Sequence, residues 1–159
     1  MDNEIENISK LATIHDIGKI STPYEVLNKK GKLTKEEMDI VKKHPEDGSN
    51  MALKLPKCNS TKKLVHYAYN ICLYHHERYD GHGYPKGLKN DDIPLEAQVV
   101  GLADAYDALI SERPYKRKIN HGEAVRMIVN GECGSFSPKV ILSFIIASMN
   151  KMWIEKVSK

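Results

Sequence analysis

The segment LVHYAYNICLYHHERYDGHGYP, residues 64–85, joins a helical pattern to a loop and carries two adjacent histidines where they meet. Its first half has apolar residues at the spacing of one helix face, namely Leu64, Val65, Ala68, Ile71 and Cys72. The glycines and proline that follow indicate a loop over residues 80–94. We predict a helix over residues 61–77 with the histidine pair in its last turn. Two chemistries fit that polar end, metal ligation and anion binding.

Helical patterns also account for the chain on both sides of this segment. Thr34 with Glu37 three residues later is a capping box that begins a helix, and Pro45 suits the first turn of the next helix. No alternating strand pattern is present in the sequence. The predicted helices cover residues 4–14, 34–44, 45–56, 61–77, 95–110, 123–129 and 137–146, with one helical turn over residues 24–27 and a continuation of the last helix toward residue 159. We therefore expect an all-α fold.

The composition limits the class of protein. A chain of 159 residues suits one domain, which we place over residues 1–159, and no stretch approaches the roughly 20 apolar residues of a membrane helix. The N-terminus lacks the basic and apolar parts of a secretory signal, so we expect a cytoplasmic protein without membrane insertion. The formal net charge of +3 tolerates an anionic ligand but gives no nucleic-acid footprint, so DNA is not an expected partner.

Two short motifs place acidic side chains between apolar ones. IHDIGKI, residues 14–20, sets His15 and Asp16 beside isoleucines, and burial of an unpaired neutral polar group costs about 1–3 kcal/mol, with more for a charge. The two residues are either a hydrogen-bonded pair that ends a helix, with Gly18 as its C-cap, or metal ligands. Asp104, in the apolar pattern VVGLADAYDALI, is either a ligand or one half of a structural salt bridge. The residues alone leave both alternatives open.

The histidine pair sets a geometric limit on a metal site. Adjacent residues of an α-helix point about 100° apart, so we expect His75 and His76 to reach two neighbouring ions, or one ion and one phosphate. His66 lies about 180° round the same helix from His75 and is expected to face away. We predict structural roles for His66, for His82 in the loop and for His121 near a helix start.

The residues that these patterns single out form a mixed nitrogen and oxygen ligand set: His15, Asp16, His44, His75, His76 and Asp104. Such a set suits Fe, Mn, Co, Ni or Zn in a catalytic centre, whereas structural zinc sites usually include cysteine. The three cysteines are isolated and expected to remain reduced. A carboxylate that bridges two ions about 3.5–4 Å apart, flanked by histidines, supports phosphoester hydrolysis. Lys19, Arg113 and Lys116 are then candidates to hold phosphate oxygens.

Five motifs follow one another along the chain: HDIGK, HPEDG, YHHERYDGHGYPKGL, IPLEAQVVGLADAYDAL and RPYK. In this order and spacing they closely resemble the HD-GYP family of the HD phosphohydrolase superfamily over residues 11–144, and Gly83, Tyr84 and Pro85 are the GYP of its name. The resemblance implies a helical HD-domain bundle. It also implies a metal-dependent phosphodiesterase that hydrolyses cyclic di-GMP to linear pGpG, GMP or both in bacterial second-messenger signalling.

The resemblance further implies roles for individual residues. The implied ligands of two divalent metal ions, with Fe or Mn favoured over Ni, Co or Zn, are His15, Asp16, His44, His75, His76 and Asp104. Asp16 is the implied bridge between the ions and, with Lys19, a catalytic residue. The residues implied to contact the substrate are Lys19, Tyr84, Arg113 and Lys116.

Members of the family carry further helices before the HD pair, one of which supplies another histidine, whereas no histidine precedes His15 in this sequence. We therefore expect a bundle without the usual N-terminal helices. A cyclic dinucleotide is the expected substrate, and a second copy of the chain or an upstream sensor or receiver domain is an expected partner. Two alternatives stay open: a catalytically weak HD-GYP module that binds cyclic di-GMP or a signalling partner, and an HD-type phosphohydrolase that acts on another nucleotide.

Overall fold

The computed structural model describes residues 2–55, 61–112 and 119–157, with side chains described as far as Met149. Within these ranges the chain is helical, with turns and loops between helices and no strand. The helices are α1 (Asp2–Ala12), α2 (Tyr24–Leu27), α3 (Lys35–Val41), α4 (His44–Ala52), α5 (Lys62–Tyr74), α6 (Leu95–Ile110), α7 (His121–Val129) and α8 (Pro138–Val157), with 3₁₀-helices at Ile17–Ser21 and Asn90–Asp92. The predicted all-α fold is confirmed.

The local signals explain where several helices begin. Thr34 Oγ1 accepts a hydrogen bond from Glu37 N, and Glu37 Oε2 accepts one from Thr34 N at 2.7 Å, so the predicted capping box is present. Pro45 lies in the first turn of α4, where its missing N–H is not needed. At the start of α7, Asn120 Oδ1 accepts from Glu123 N at 2.9 Å. These bonds satisfy N–H groups that a helix start leaves without a partner.

Several predicted helix ends lie too far along the chain: α1, α3 and α4 end at Ala12, Val41 and Ala52, and α5 ends at Tyr74, before the histidine pair. His75 is the C-cap residue, and its ring donates to the carbonyls of Ile71 and Cys72 at 2.9 and 3.0 Å. The imidazole thus bonds two carbonyls in the last turn of α5, one of which, Ile71 O, also accepts from His75 N at 3.2 Å. His76 consequently lies in the turn after the helix.

The described contacts divide the chain into two compact units, residues 1–101 and 102–159. In the first unit, α4 packs against α5 and against the 3₁₀-helix Ile17–Ser21, and α1 packs against α5. The buried core of this unit includes Ala52, Val65, Ala68, Ile71, Cys72, Leu73 and Ala97. The Tyr67 hydroxyl donates to the Glu4 carboxylate and so joins α5 to α1. The single domain predicted over residues 1–159 stays a prediction.

The second unit has a hydrophobic core of its own. Its buried members come from α6, α7, α8 and the segment before α8, and they are Leu102, Leu109, Ala124, Ile128, Phe136 and Val140. Among the residues that the structure describes, no helix combines the length and the apolar character needed to cross a membrane.

A close approach of two backbone segments positions His15 and Asp16. A Cβ atom on Gly18 would lie 2.0 Å from the carbonyl oxygen of His44 and 2.5 Å from the backbone nitrogen of Gly48. Both distances are too short for a Cβ atom. Both contacting atoms belong to the backbone, which cannot move aside as the end of a flexible side chain can. Gly18 therefore allows the 3₁₀-helix to lie directly on α4, which brings the residues just before it close to His44.

We predict that Gly18→Ala lowers the free energy of unfolding by at least about 2 kcal/mol, because the added methyl group forces two backbone segments apart. Gly122→Ala is the control, since a Cβ there would meet only Asn120 Oδ1 at 3.7 Å. That control should raise the stability slightly or leave it unchanged. Urea unfolding followed by circular dichroism measures both variants, and equal stability of Gly18→Ala and the parent chain would contradict the close packing.

Candidate metal centre

Three histidines of the first unit make the same kind of hydrogen bond to the end of a helix. Each lies three residues after a carbonyl in the last turn of a helix, and each ring directs its Nδ1 atom to that carbonyl. The bonds are His15 Nδ1 to Ala12 O at 2.8 Å, His44 Nδ1 to Val41 O at 2.8 Å, and His75 Nδ1 to Ile71 O and Cys72 O at 2.9 and 3.0 Å. A carbonyl oxygen only accepts hydrogen bonds, so these contacts place the imidazole proton on Nδ1. In the neutral ring, Nε2 then carries a lone pair.

The Nε2 atoms of His44 and His75 face each other. They lie 3.4 Å apart, and the two rings are 1% and 0% exposed. Burial, with a smaller contribution from the neighbouring imidazoles, lowers the pKa of His75 to about 4. His75 is therefore neutral near pH 7, and its lone pair is available to a cation.

Asp16 adds a carboxylate to the same point. Its Oδ1 atom lies 3.1 Å from His44 Nε2 and 3.9 Å from His75 Nε2. The His44 contact has the distance but not the geometry of a hydrogen bond, and Oδ1 is buried without a hydrogen-bond partner among the residues that the structure describes. Burial raises the pKa of the carboxyl, but the Lys19 ammonium, which donates to Oδ2 and carries the opposite charge, opposes that rise, and the net pKa is well below its ordinary value. Asp16 is therefore ionised.

The other carboxylate oxygen of Asp16, Oδ2, faces Lys19 and His15. Lys19 Nζ donates to Oδ2 at 2.5 Å, and His15 Nε2 lies 3.4 Å from the same oxygen. The His15 and His75 rings meet edge to face with their centroids 5.0 Å apart. Lys19 thus holds one oxygen of Asp16 and leaves the other directed at the histidines.

Four of the predicted ligands converge on one point. Asp16, His44, His75 and His76 each offer a ligand atom, and these atoms lie within 4.8 Å of one another. The rings of His75 and His76 have centroids 4.1 Å apart and planes 43° apart, and the expectation that the pair reaches two neighbouring ions stays a prediction. The 100° rule applies within a helix, whereas His76 lies in the turn after α5.

The donor set fits a metal ion. The buried Asp16 oxygen and the two Nε2 lone pairs are all acceptors, and acceptors packed this closely need a cation between them. Two nitrogens bound at about 2.1 Å to one tetrahedral ion would be about 3.4 Å apart, which matches the His44–His75 separation. Nitrogen and oxygen ligands without thiolate suit Fe, Mn, Co, Ni or Zn. The described residues thus contain a His/Asp cluster able to hold a metal ion.

The loop after the histidine pair lies against the centre. The Tyr84 ring stacks on His76, with centroids 4.7 Å apart and planes 22° apart, and Lys42 Nζ lies 5.2 Å from the Tyr84 centroid. Glu77 is a residue for which we predicted no role. It is 4% exposed, and its carboxylate accepts hydrogen bonds from loop backbone N–H groups. Only its place between the histidines and a glycine-rich loop hinted at a role.

Other predicted residues lie elsewhere. Asp104 is on α6 in the second unit, and its role as a ligand stays a prediction. Arg113 and Lys116 lie outside the described residues. His66 is exposed and contacts Asn70, His82 is 87% exposed, and the His121 ring contacts the Tyr106 hydroxyl. Cys72 and Cys133 are free thiols, as predicted, and Cys58 lies outside the described residues.

Comparison with known families agrees with this geometry. The sequence model of the HD domain family matches residues 1–140, so the chain belongs to that family. The predicted membership of the HD-GYP branch is confirmed by its relatives.

Two curated relatives are 43% identical to this chain. One is a probable cyclic di-GMP phosphodiesterase of Vibrio cholerae, similar over 92% of this chain and 33% of its own length. The other is a cyclic di-GMP phosphodiesterase of Pseudomonas aeruginosa, similar over 84% of this chain and 31% of its own length. A 3′3′-cGAMP-specific phosphodiesterase of Vibrio cholerae is 33% identical over 88% of this chain and 26% of its own length. The chain thus spans about a third of the length of the curated relatives that it matches.

We predict that, wherever the rings of His15, His44 and His75 are neutral in the metal-free chain, they are Nδ1–H tautomers, because each Nδ1 donates to a carbonyl. Long-range ¹H–¹⁵N NMR correlations of the imidazole nitrogens distinguish the two tautomers. The exposed His82 is the internal reference for a ring not held by a buried contact. Nε2–H tautomers at His44 and His75 would contradict the proposed orientation of the lone pairs.

Proposed function

We propose that the chain is a metal-dependent phosphodiesterase that hydrolyses cyclic di-GMP. The observation that carries this proposal is the convergence of acceptor atoms from Asp16, His44, His75 and His76, in a site without thiolate. The names of the relatives support the choice of a cyclic dinucleotide as the substrate class. His15 and Asp104 complete the proposed ligand set, with Asp16 as the bridge between two ions and Fe or Mn as the favoured metals.

Each residue has a defined task in this proposal. Divalent ions, when bound, would supply Lewis-acid charge for the phosphoryl oxygens and would acidify a water molecule. Lys19 holds Asp16 Oδ2 and thereby orients the other carboxylate oxygen toward the histidines. The Nδ1 hydrogen bonds fix the imidazole rings before metal ions bind, so little ordering of these side chains is required when the ions bind. Arg113 and Lys116 are proposed to bind phosphate oxygens, and Tyr84 to shape the substrate loop.

Hydrolysis to pGpG forms a bond between phosphorus and the water oxygen and breaks the bond between phosphorus and the ribose 3′ oxygen. The 3′ oxygen receives a proton, and the new phosphate group remains on the 5′ side. A second hydrolysis of the same kind would give GMP. A second copy of the chain, or a sensor domain in a longer protein, stays a predicted partner.

The function is tested by hydrolysis of cyclic di-GMP with the chain purified without oxygen and supplied with Fe(II) or Mn(II), and bound metal is counted on the same sample. We expect turnover with two metals per chain, and loss of turnover after chelation. Parallel assays with 3′3′-cGAMP and GMP esters test the alternative substrates. If the folded chain binds fewer than two metals and shows no turnover, a catalytically weak module that binds cyclic di-GMP or a signalling partner would be favoured. Turnover of another nucleotide alone would favour an HD-type phosphohydrolase with a different substrate.

We predict that Asp16→Asn loses the bound metal and lowers hydrolysis by several orders of magnitude, while the helical circular dichroism spectrum is retained. The neutral amide removes the negative charge at the point where the lone pairs converge. Asp39→Asn is the matched control, because Asp39 is exposed on α3 and lies outside the cluster. Metal content and activity are measured on both variants, and retained activity in Asp16→Asn would remove Asp16 from the proposed site.

A further inference from the structure

The buried carboxylate of Glu77 binds the loop that follows the histidine pair. We name residues 83–88 the Tyr84 loop. Glu77 Oε1 accepts hydrogen bonds from Lys86 N at 2.7 Å and from Gly87 N at 3.2 Å, and Oε2 accepts one from Leu88 N at 3.0 Å. Both oxygens therefore point at consecutive backbone N–H groups of one loop.

The chemistry of this contact requires a carboxylate. A buried charge is costly unless hydrogen bonds compensate it, and bonds from N–H groups to a charged acceptor are stronger than neutral ones. The loop presents only donors at this point, and glutamate presents only acceptors. A glutamine of the same shape would direct its NH₂ group at one of these donors, and that N–H would lose its acceptor.

The same segment is joined to the candidate metal centre. Glu77 directly follows His76, and Tyr84 N donates to His76 O at 3.3 Å. The Tyr84 ring stacks on the His76 ring. A Cβ atom on Gly83 would lie 2.4 Å from Glu77 Cα, so the backbone of the loop rests directly on Glu77. The position of the Tyr84 ring over His76 therefore depends on how Glu77 holds the loop.

A second carboxylate also contacts the loop, but at the surface. Lys86 Nζ lies 2.7 Å from Glu46 Oε1, and the two side chains are 50% and 46% exposed. Exposed ion pairs of this kind contribute little to stability, because solvent screens the two charges. Glu46 thus gives a matched comparison, because it carries the same charge and contacts the same loop without the burial.

We propose that Glu77 is a positioning residue that fixes the Tyr84 loop against His76 before substrate binds. The loop would then present a formed edge to the cyclic dinucleotide. The part that concerns substrate rests on the function proposed above. The part that concerns the loop stands on the hydrogen bonds of Glu77 alone.

Amide hydrogen exchange tests the loop. In the parent chain the N–H groups of Lys86, Gly87 and Leu88 should be protected, and Glu77→Gln should accelerate their exchange by about tenfold or more. Amides in the middle of α5 should exchange at the parent rate in this variant, because the effect is local. Glu46→Gln should leave all these rates unchanged. Exchange of the three amides at the rate of exposed amides in the parent chain would overturn the proposal without the need for a variant.

Substrate binding tests the positioning role. With metal content equal to that of the parent chain, Glu77→Gln should weaken the binding of cyclic di-GMP by about tenfold, and Glu46→Gln should bind normally. In a double-mutant cycle the losses from Glu77→Gln and Tyr84→Ala should be less than additive, since both act through the loop. Unchanged binding with a loosened loop, or fully additive losses, would overturn the positioning role.

Two safeguards keep the outcomes separate. If Glu77→Gln does not fold, Glu77→Asp retains the charge but withdraws it by one methylene, and it should accelerate exchange at the same three amides. Parent-like exchange in Glu77→Asp would count against the proposal. If the parent chain neither binds nor hydrolyses cyclic di-GMP, the proposed function fails, while protected loop amides that Glu77→Gln exposes would still support the role of Glu77 in the loop.

Discussion

The Nδ1–H bonds of three histidines to helix-end carbonyls determine what this centre can bind. Each bond is accepted by a carbonyl in the last turn of a helix, and each also fixes the tautomer and the direction of the ring. Lone pairs of His44 and His75 then meet beside an ionised carboxylate oxygen in a buried space. Such a group of acceptors is unfavourable by itself, and a bound cation resolves the conflict.

Close backbone packing brings these helix ends together. Gly18 lets the 3₁₀-helix Ile17–Ser21 lie on α4, and a Cβ atom on Gly101 would lie 2.3 Å from His75 O, so α6 rests directly on the turn that holds the histidine pair. The site is therefore formed by turns between helices, held by the packing of their backbones. Side chains on such turns can face one another although they are far apart in sequence.

Sequence reasoning predicted the fold class and named the four residues that the structure brings together, but not their fine geometry. The capping box at Thr34 and the apolar pattern of residues 95–110 are local signals, and both helices begin where predicted. The ligand types followed from ordered motifs. The closeness of His75 and His76 did not, because it depends on where α5 ends, and helix ends are the least certain feature of a sequence pattern. Glu77 was missed because its partners are backbone groups of residues 86–88, which have no sequence signature.

X-ray absorption spectroscopy of the Mn(II)- or Zn(II)-loaded chain tests the central claim, that His44, His75, His76 and Asp16 supply ligand atoms to a metal centre. The account predicts a first shell of nitrogen and oxygen near about 2.0–2.2 Å, the outer-shell scattering of several imidazoles, and no sulfur. A sulfur shell, a shell of oxygen alone without imidazole scattering, or the absence of tightly bound metal in a folded chain would contradict it.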